Sequence, residues 1–373
     1  MSRYRTALEC LMGVPATDGN EVRILRDGDE AFPAMLDAIR TAEATVDMHT
    51  FGHWNGAIGA ELTDLLVERA RAGVRVRVLL DAFGARHIER DLIECVARAG
   101  ADVHWFRPLT WRVTQATHRG HRKVLVCDNR VAFSGGIGIS DRWCEYRDTA
   151  VRVRGPAVNG LKGAFLNNWA ETRQPLFDKD IDPFPEHEPA GSSAVQVVRG
   201  DAETGWGDLS TLVRAFVGLA RSRLRISTSY FVPDADVVRL LCDAAQRGVS
   251  VEVLLPGGPV GTRLAQLATE ASCARLLAGG VRVWSYPGGL RNSAMVADGA
   301  MASVGAMDFN SRSLTLNDEV NVVVFDPEVV RVVDAHIEQD IDRAARIETD
   351  EWAQRGLVRR AAGVVPGFLA RHL

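Results

Sequence analysis

Three side chains near the middle of the chain have the types and spacing suited to phosphate chemistry. His121 and Lys123 stand two residues apart, and Asp148 follows 27 residues after the histidine. Residues two apart in a strand share a face, so we expect the imidazole and the ammonium to point the same way. The imidazole can then act as a nucleophile or proton carrier while the ammonium holds an anion. A carboxylate at Asp148, just before a strand-like run, can hold the second ring nitrogen and fix its tautomer.

The use of lysine in this chain is unusually sparse. Of the 44 basic residues, three are lysine, namely Lys123, Lys162 and Lys179. Lysine carries a compact, point-like ammonium that arginine cannot copy. Its retention beside a histidine therefore supports a chemical use for Lys123.

The elements that must position these residues occur twice along the chain. In the first half, amphipathic helix patterns alternate with strand-like runs at 44–51 and 74–80. In the second half the same order returns, with strand-like runs at 224–230 and 249–255. This alternation with short connections is typical of α/β proteins. We therefore predict an α/β fold with two similar halves, each a mixed β-sheet flanked by helices. A pseudo-two-fold axis would relate the halves and carry a pocket.

Composition places a boundary and excludes several classes of protein. Residues 176–193 contain three prolines among acidic residues, which predicts a linker and two halves, 1–190 and 191–373. The net charge of −4 gives no bulk positive field, so nucleic acid is not the expected partner. The six cysteines are scattered, and no apolar run suits a membrane span or signal peptide. We expect a cytoplasmic protein without a metal site.

The chemistry-bearing residues also form a pattern that resembles a known family. His121–Asp128 reads H-x-K-x4-D and is followed by Gly135-Gly136, which is similar to the signature of the phospholipase D superfamily. The runs Gly28–Phe32, Tyr230–Asp234 and Leu316–Asn321 resemble landmarks of the bacterial cardiolipin synthase branch. The likeness extends from about residue 8 to the C-terminus.

This resemblance implies a two-step reaction without a metal or an organic cofactor. One histidine attacks phosphorus, and a second, from the other half, protonates the leaving oxygen. The resemblance makes His121 the nucleophile, Lys123 a phosphate anchor and Asp148 the residue that orients His121. Asp128, the acid of the motif, is expected to tie down its own turn. The implied partner is a phosphate-containing small molecule or a phospholipid.

The second copy of the motif, 170 residues later, has lost its reactive groups. Arg291 and Ser293 occupy the histidine and lysine positions, while Asp298 still matches Asp128. Glu319 persists as the acid partner of the second half, but the imidazole that it would orient is missing.

Other pocket positions also depart from the family. Gly138 and Asp308 stand where the family usually has a phosphate-binding asparagine. Asp308 would repel a phosphate unless it is protonated or paired, with Arg291 or Arg312 as candidate partners. The candidate substrate contacts are Arg291, Ser293, His49, Gly136, Gly138, Asp308 and Asn317.

Three interpretations follow from these losses. The first is an active enzyme with altered chemistry, in which His49 or His53 donates the missing proton, or Arg291 binds a substrate anion. The second is a homodimer that pairs two intact first-half motifs, although a monomer is the expected state. The third is a pseudoenzyme that binds phosphate or lipid without turnover. The C-terminal stretch Trp352–Leu373 is compatible with a peripheral membrane contact or with a docked helix.

Overall fold

A computed structural model of the chain describes residues 2–52, 54–82, 84, 88–107, 119–177, 180–200, 208–258, 263–310, 313 and 317–348. Its helices are α1 Ser2–Met12, α2 Asp27–Arg40, α3 Gly56–Arg71, α4 Arg90–Arg98, α5 Ala157–Ala170, α6 Asp208–Leu219, α7 Ala235–Gln246, α8 Arg263–Ala278 and α9 Pro327–Asp342. The first-half strands are β1 Thr17–Arg26, β2 Thr45–Thr50, β3 Arg75–Asp81, β4 Asp102–Phe106, β5 Arg119–Gly120, β6 Val124–Cys127, β7 Val131–Gly135 and β8 Thr149–Arg154. The second-half strands are β9 Ser193–Gly200, β10 Arg223–Thr228, β11 Phe231–Val232, β12 Ser250–Pro256, β13 Arg282–Tyr286, β14 Ser293–Ala297, β15 Met301–Gly305, β16 Phe309–Asn310, β17 Asn317–Val324 and β18 Ala345–Arg346.

The order of the strands has two-fold symmetry about the pair β1–β9. Sixteen strands of the described residues form one sheet in the order β18-β13-β12-β10-β14-β15-β17-β9-β1-β8-β7-β6-β2-β3-β4, with β5 paired to β17. Outward from β1 and β9, the two halves repeat the same connectivity. In each half the strands nearest the centre pair antiparallel. The strands β2, β3 and β4 of the first half run parallel, and so do their counterparts β10, β12 and β13 in the second. This arrangement confirms the predicted α/β fold of two similar halves.

Local sequence explains why corresponding elements begin and end where they do. Gly73 and Gly248 follow α3 and α7 with φ values of 89° and 90°, which other residues rarely adopt. Each glycine therefore ends a helix and leads into a buried parallel strand, as the sequence predicted. Asp234 accepts a hydrogen bond from the Val237 N–H at 2.7 Å and so caps α7.

A shared hydrophobic core joins the halves. Val151 and Phe165 from the first half and Val320 and Ile337 from the second belong to one cluster of buried side chains. Helix α5 packs on β9 and helix α9 packs on β1, so each half covers the central strand of the other. Because these side chains from both halves pack in one buried cluster, the two halves are held at a fixed separation.

Three features lie outside this core, namely membrane-spanning character, the C-terminal stretch and the boundary between the halves. None of the helices in the described part of the chain has the length and apolar character needed to cross a membrane. The stretch Trp352–Leu373 lies outside the described residues. The boundary near residue 190 stays a prediction.

Candidate active site

His121 is attached to the second half of the molecule through its own backbone. Strand β5 pairs with the start of β17, with Arg119 opposite Asn317 and Gly120 opposite Asp318. The His121 N–H then donates to the Asp318 carbonyl at 2.9 Å. The motif histidine of the first half therefore lies directly against the strand that carries Glu319.

Glu319 holds the imidazole of His121. Its two carboxylate oxygens lie 2.9 and 3.1 Å from His121 Nδ1, and its side chain is fully buried. The prediction that Asp148 orients His121 is therefore wrong, and so is the expectation that Glu319 has no imidazole to orient. Each half was expected to supply its own acid, whereas the pairing of β5 with β17 brings the acid of the other half to Nδ1.

Lys123 completes the contact on the other side of the ring. Its Nζ lies 3.2 Å from His121 Nε2, so the two side chains meet as predicted. The segment between them is not a strand, because β6 begins only at Val124. A carboxylate accepts and an ammonium donates, so both neighbours favour the tautomer with its proton on Nδ1 and a lone pair on Nε2.

Burial and charge act in opposite directions on Lys123. Burial lowers the pKa of the ammonium, while the carboxyl groups of Glu319, Asp148 and Asp308 raise it. Phe51 packs its ring against His121 at 4.7 Å between centroids and lies 5.8 Å from Lys123 Nζ. The ammonium therefore stands in a partly apolar setting where its attraction for an anion is strong.

Arg122, between the two motif residues, ties the motif to both halves and was missed from the sequence. Its buried guanidinium donates to the Ala164 carbonyl at 2.9 Å and to the Asn167 side chain at 2.8 Å in the first half. It also donates to the carbonyls of Gly200 at 2.8 Å and Glu319 at 3.2 Å in the second half. A five-donor side chain is suited to this bridging. Arg122 therefore fixes the distance between His121 and Glu319.

Asp148 is sealed beneath the glycine turn. It accepts hydrogen bonds from Trp143 Nε1 at 2.9 Å and from the Thr149 N–H at 2.7 Å, and it has no exposed surface. A Cβ on Gly136 would lie 2.5 Å from Asp148 Oδ1, so only glycine fits there. Burial raises the pKa of Asp148 to about 7.

Asp128 has a structural position, as predicted, although it ties down more than its own turn. Its carboxylate accepts from the N–H groups of Glu43, Ala44 and Thr45 at 2.8–2.9 Å, at the start of β2. Asp298 does the same for the backbone at the start of β10. The acids of the two motif copies thus hold equivalent loops and lie away from His121.

The second copy of the motif presents no substitute for the lost pair. Ser293 is buried and donates its hydroxyl to the Met307 carbonyl. Arg291 is exposed, and its guanidinium lies 5.3 Å from the centroid of the Tyr146 ring. Of these two candidate substrate contacts, Arg291 alone has a side chain open to a ligand.

Asp308 lies near His121 but has a different partner from those considered. Ser229 Oγ donates to Asp308 Oδ1 at 2.5 Å, while Arg291 lies over Tyr146, so a pair between Asp308 and Arg291 is not formed. The other candidate partner, Arg312, lies outside the described residues. Burial raises the pKa of Asp308, against the lowering effect of His121 and Lys123.

Ser313 links this part of the site to the histidine. Its hydroxyl donates to Glu319 Oε1 at 2.6 Å and accepts from the Asp308 N–H at 2.9 Å. Sequence reasoning missed both Ser229 and Ser313, because a lone serine in a loop carries no signal of its own.

His49 does not reach a substrate. It is 1% exposed, and neither ring nitrogen has a hydrogen-bond partner in the described residues. With Lys123, Thr50 and Ser134 it lines a cavity of about 30 Å³. Burial, with the charges of Arg122, Lys123 and His121, lowers the pKa of His49 to about 3. His49 is therefore neutral at pH 7, and the idea that its imidazolium supplies the missing proton is wrong. The alternative donor His53 lies outside the described residues.

The last two candidate contacts are Gly138 and Asn317. A Cβ on Gly138 would lie 2.6 Å from the ring of Trp143, so the indole occupies the space that a side chain at this position would need. Asn317 opens β17, and its buried Oδ1 has no hydrogen-bond partner in the described residues. Gly138 thus contributes space for Trp143 rather than a donor.

The assembled groups can form and stabilise a bond to phosphorus. Nε2 of His121 carries a lone pair, Glu319 can balance positive charge on the ring, and Lys123 can hold an oxyanion. Asp308 adds a carboxyl group on the second-half side. These groups come from both halves, which explains why the site needs the shared core.

Comparison with known proteins agrees with this geometry. The family model for "Cardiolipin synthase, PLD-like domain" matches residues 35–167 and 213–341, one segment in each half. Cardiolipin synthase 2 of Bacillus anthracis is 30% identical over 91% of this chain and 68% of that protein. The probable cardiolipin synthase YwiE of Bacillus subtilis is 30% identical over 91% of this chain and 70% of that protein.

Solved structures share the fold at lower identity. A phosphatidylserine synthase of Haemophilus influenzae Rd KW20 matches with a TM-score of 0.72 at 13% identity, covering 100% of both chains. A polyphosphate kinase of Porphyromonas gingivalis matches with a TM-score of 0.60 at 14% identity, covering 88% of this chain and 49% of that one. With both segments of the family model matched and the motif histidine held between the halves, this chain belongs to the phospholipase D-like family of cardiolipin synthase domains, which are enzymes.

Proposed function

We propose that this protein transfers a phosphatidyl or similar phosphodiester-linked group through a covalent phosphohistidine at His121. The observation that carries the proposal is the arrangement of one ring between two charges. Nδ1 lies 2.9 Å from a buried Glu319 oxygen, and Nε2 lies 3.2 Å from the Lys123 ammonium. This arrangement suits a nucleophilic imidazole whose reaction centre is already beside an anion-binding group.

In the first step, Nε2 of His121 attacks the phosphorus of a bound phosphodiester. The bond from Nε2 to phosphorus forms as the bond to the leaving oxygen breaks. Lys123 neutralises the non-bridging oxygens, and Glu319 stabilises the positive ring that results. In the second step an alcohol or water attacks the phosphohistidine and loses a proton, which balances the proton taken up by the leaving oxygen of the first step, and His121 leaves as neutral imidazole.

The names of the relatives favour a phospholipid as substrate. The similar proteins are cardiolipin synthases, and a structural neighbour is a phosphatidylserine synthase. Both names denote the synthesis of a phospholipid. The exposed Arg291 at the edge of the site is suited to a second anionic group of such a substrate.

A site that is complete within one chain supports a monomeric enzyme. Glu319 already contacts His121, and β17 already pairs with β5. A second copy of the first-half motif would have to displace these contacts to reach His121. The homodimer interpretation therefore receives less support than the monomer.

The alternative function is a phosphate- or lipid-binding module without turnover. The observation that favours it is the replacement of the second histidine and lysine by Arg291 and Ser293. Losing a general acid typically slows a reaction by about 10²–10⁴-fold. Covalent labelling separates the two functions, because a binding module forms no phosphohistidine.

The test is to mix the protein with ³²P-labelled phosphatidylglycerol vesicles, stop the reaction within one turnover and measure base-stable, acid-labile protein label. We expect label on the wild type and none on His121→Asn. His187→Asn is the matched control, because His187 lies in the linker and its Nε2 contacts Asn159 at 3.0 Å. Label on the control but not on His121→Asn supports the proposal. Vesicle binding without label on the wild type would favour the binding module.

A further inference from the structure

Asp308 is a carboxyl group in the reaction site to which no role has been assigned. It follows β15 in the second half and is partly exposed, unlike the sealed Asp148. Ser229 donates to its Oδ1 at 2.5 Å and fixes the side chain. Its backbone N–H joins it through Ser313 to Glu319, the partner of His121.

The surroundings of Asp308 favour the protonated form of its carboxyl more than water does for an ordinary surface carboxyl. Burial raises its pKa, and the nearby charge of Glu319 raises it further. The charges of His121 and Lys123, together with the hydrogen bond from Ser229, act in the opposite direction. Tyr230 is a further titratable neighbour, and its pKa is itself raised by burial and by Asp308.

Other groups of the site are poorly suited to give up a proton to a leaving oxygen. Arg291 stands at the position of the lost histidine, but a guanidinium does not release its proton in proteins. Lys123 lies against Nε2, on the nucleophile's side of the phosphorus. Asp148 has no exposed surface, and His49 is 1% exposed.

We propose that Asp308, entering from the second half, is the general acid that takes the place of the missing histidine; this inference rests on the proposed function. In the first step the Asp308 O–H gives its proton to the leaving oxygen while the Nε2–phosphorus bond forms. The products are an alcohol, a phosphohistidine and an Asp308 carboxylate. In the second step this carboxylate takes the proton of the attacking alcohol or water as the phosphorus–Nε2 bond breaks. Asp308 returns to its acid form, and His121 returns to its neutral form.

The test compares two phosphodiesters of the same phosphatidyl group, one with a 4-nitrophenyl leaving group and one with an alkyl leaving group. The aryl oxide departs without a proton, whereas the alkoxide needs one. Asp308→Asn keeps the size of the side chain and an oxygen that can accept from Ser229. We expect this variant to slow release of the alkyl group by about 10²–10⁴-fold and release of the aryl group by less than about tenfold.

A pH series gives a second readout that a merely structural residue would not change. For the wild type we expect alkyl release to fall as the pH rises through the pKa of Asp308, because the acid form is lost. Aryl release would lack this fall. Ser229→Ala removes the donor to Asp308 and is expected to move the fall to higher pH. This shift keeps the inference testable even if thermal unfolding shows that Asp308→Asn is poorly folded.

The outcomes distinguish the inference from the proposed function. Equal slowing of both substrates by Asp308→Asn would overturn the role of Asp308, while a phosphohistidine from the aryl substrate would leave the nucleophile intact. Faster alkyl release in Asp308→Asn would also overturn it, since the acid would then only repel phosphate. Failure of the wild type to form a phosphohistidine even from the aryl substrate would instead remove the proposed function.

Discussion

Replacing Glu319 by glutamine tests whether the contact between the halves gives His121 the reactivity that we propose. Ser313 donates to Glu319 Oε1 at 2.6 Å, so a glutamine oxygen is expected to keep that place. The glutamine oxygen at the Oε1 position would lie 2.9 Å from His121 Nδ1, and the amide nitrogen would occupy the Oε2 position at 3.1 Å. Nδ1 would then face one acceptor and one donor in place of two acceptors, which raises the population of the tautomer with the proton on Nε2 and removes the negative charge that balances the ring. That tautomer leaves no lone pair for attack on phosphorus.

Two effects set the size of the loss. A hydrogen bond to a charged group is worth about 1.5–3 kcal/mol, which is roughly 10- to 150-fold in rate. The wrong tautomer adds to this, and a comparable acid-to-amide change in a Ser-His-Asp triad lowers kcat by about 10⁴. We therefore expect Glu319→Gln to form phosphohistidine about 10²–10⁴ times more slowly than the wild type.

Rapid-quench measurement of the ³²P-labelled protein within one turnover gives this rate directly, and thermal unfolding verifies that the variant is folded. Asp148→Asn is the matched comparison, because Asp148 is equally buried but contacts Trp143 and Thr149 instead of His121. We expect it to slow labelling less than Glu319→Gln. Labelling of Glu319→Gln at the wild-type rate, or a larger loss in Asp148→Asn, would refute the assignment of Glu319.

Two further predictions concern buried ionisable groups and the pH dependence of stability. The pKa of Asp148 is about 7 in the fold and 3.8 ordinarily, so the folded state binds more protons between these values and wild-type stability falls by up to about 4 kcal/mol as pH rises through them. Asp148→Asn should remove this slope between pH 5 and pH 8 in denaturant unfolding, and an unchanged slope would contradict the assignment. The pKa of His49 is about 3 in the fold and 6.5 ordinarily, so the unfolded state binds more protons between these values and wild-type stability falls as pH drops through them. His49→Leu should therefore raise Tm more at pH 5 than at pH 8, and the opposite order in a melting series would show that His49 is not buried in its neutral form.

Local patterns in the chain were sufficient for most of the secondary structure. The amphipathic spacing and the glycine stops predicted α3, β3, α7 and β12, because helix ends and buried strands depend on nearby residues. The repeat of that order predicted two similar halves. The segment from His121 to Lys123 was expected to be a strand and is not. It connects β5, which ends at Gly120 and pairs with the second half, to β6, which begins at Val124.

The partners of the reactive groups were less accessible to prediction. Ser229 and Ser313 matter only because the fold places them against Asp308 and Glu319. Arg122 has no distinguishing feature in a chain where arginine is the usual basic residue. Its bridging contacts depend on carbonyls and side-chain amides that come from separate elements.

The sequence alone was sufficient to predict His121 and Lys123 as the reactive groups and to show that the second motif has lost its histidine and lysine. Only the tertiary structure decided which acid serves which base. His121 and Glu319 are separated by 198 residues, and no local pattern relates positions so far apart. They meet because β5 pairs with the first residues of β17, and the shared core holds the two halves in the positions that this pairing requires.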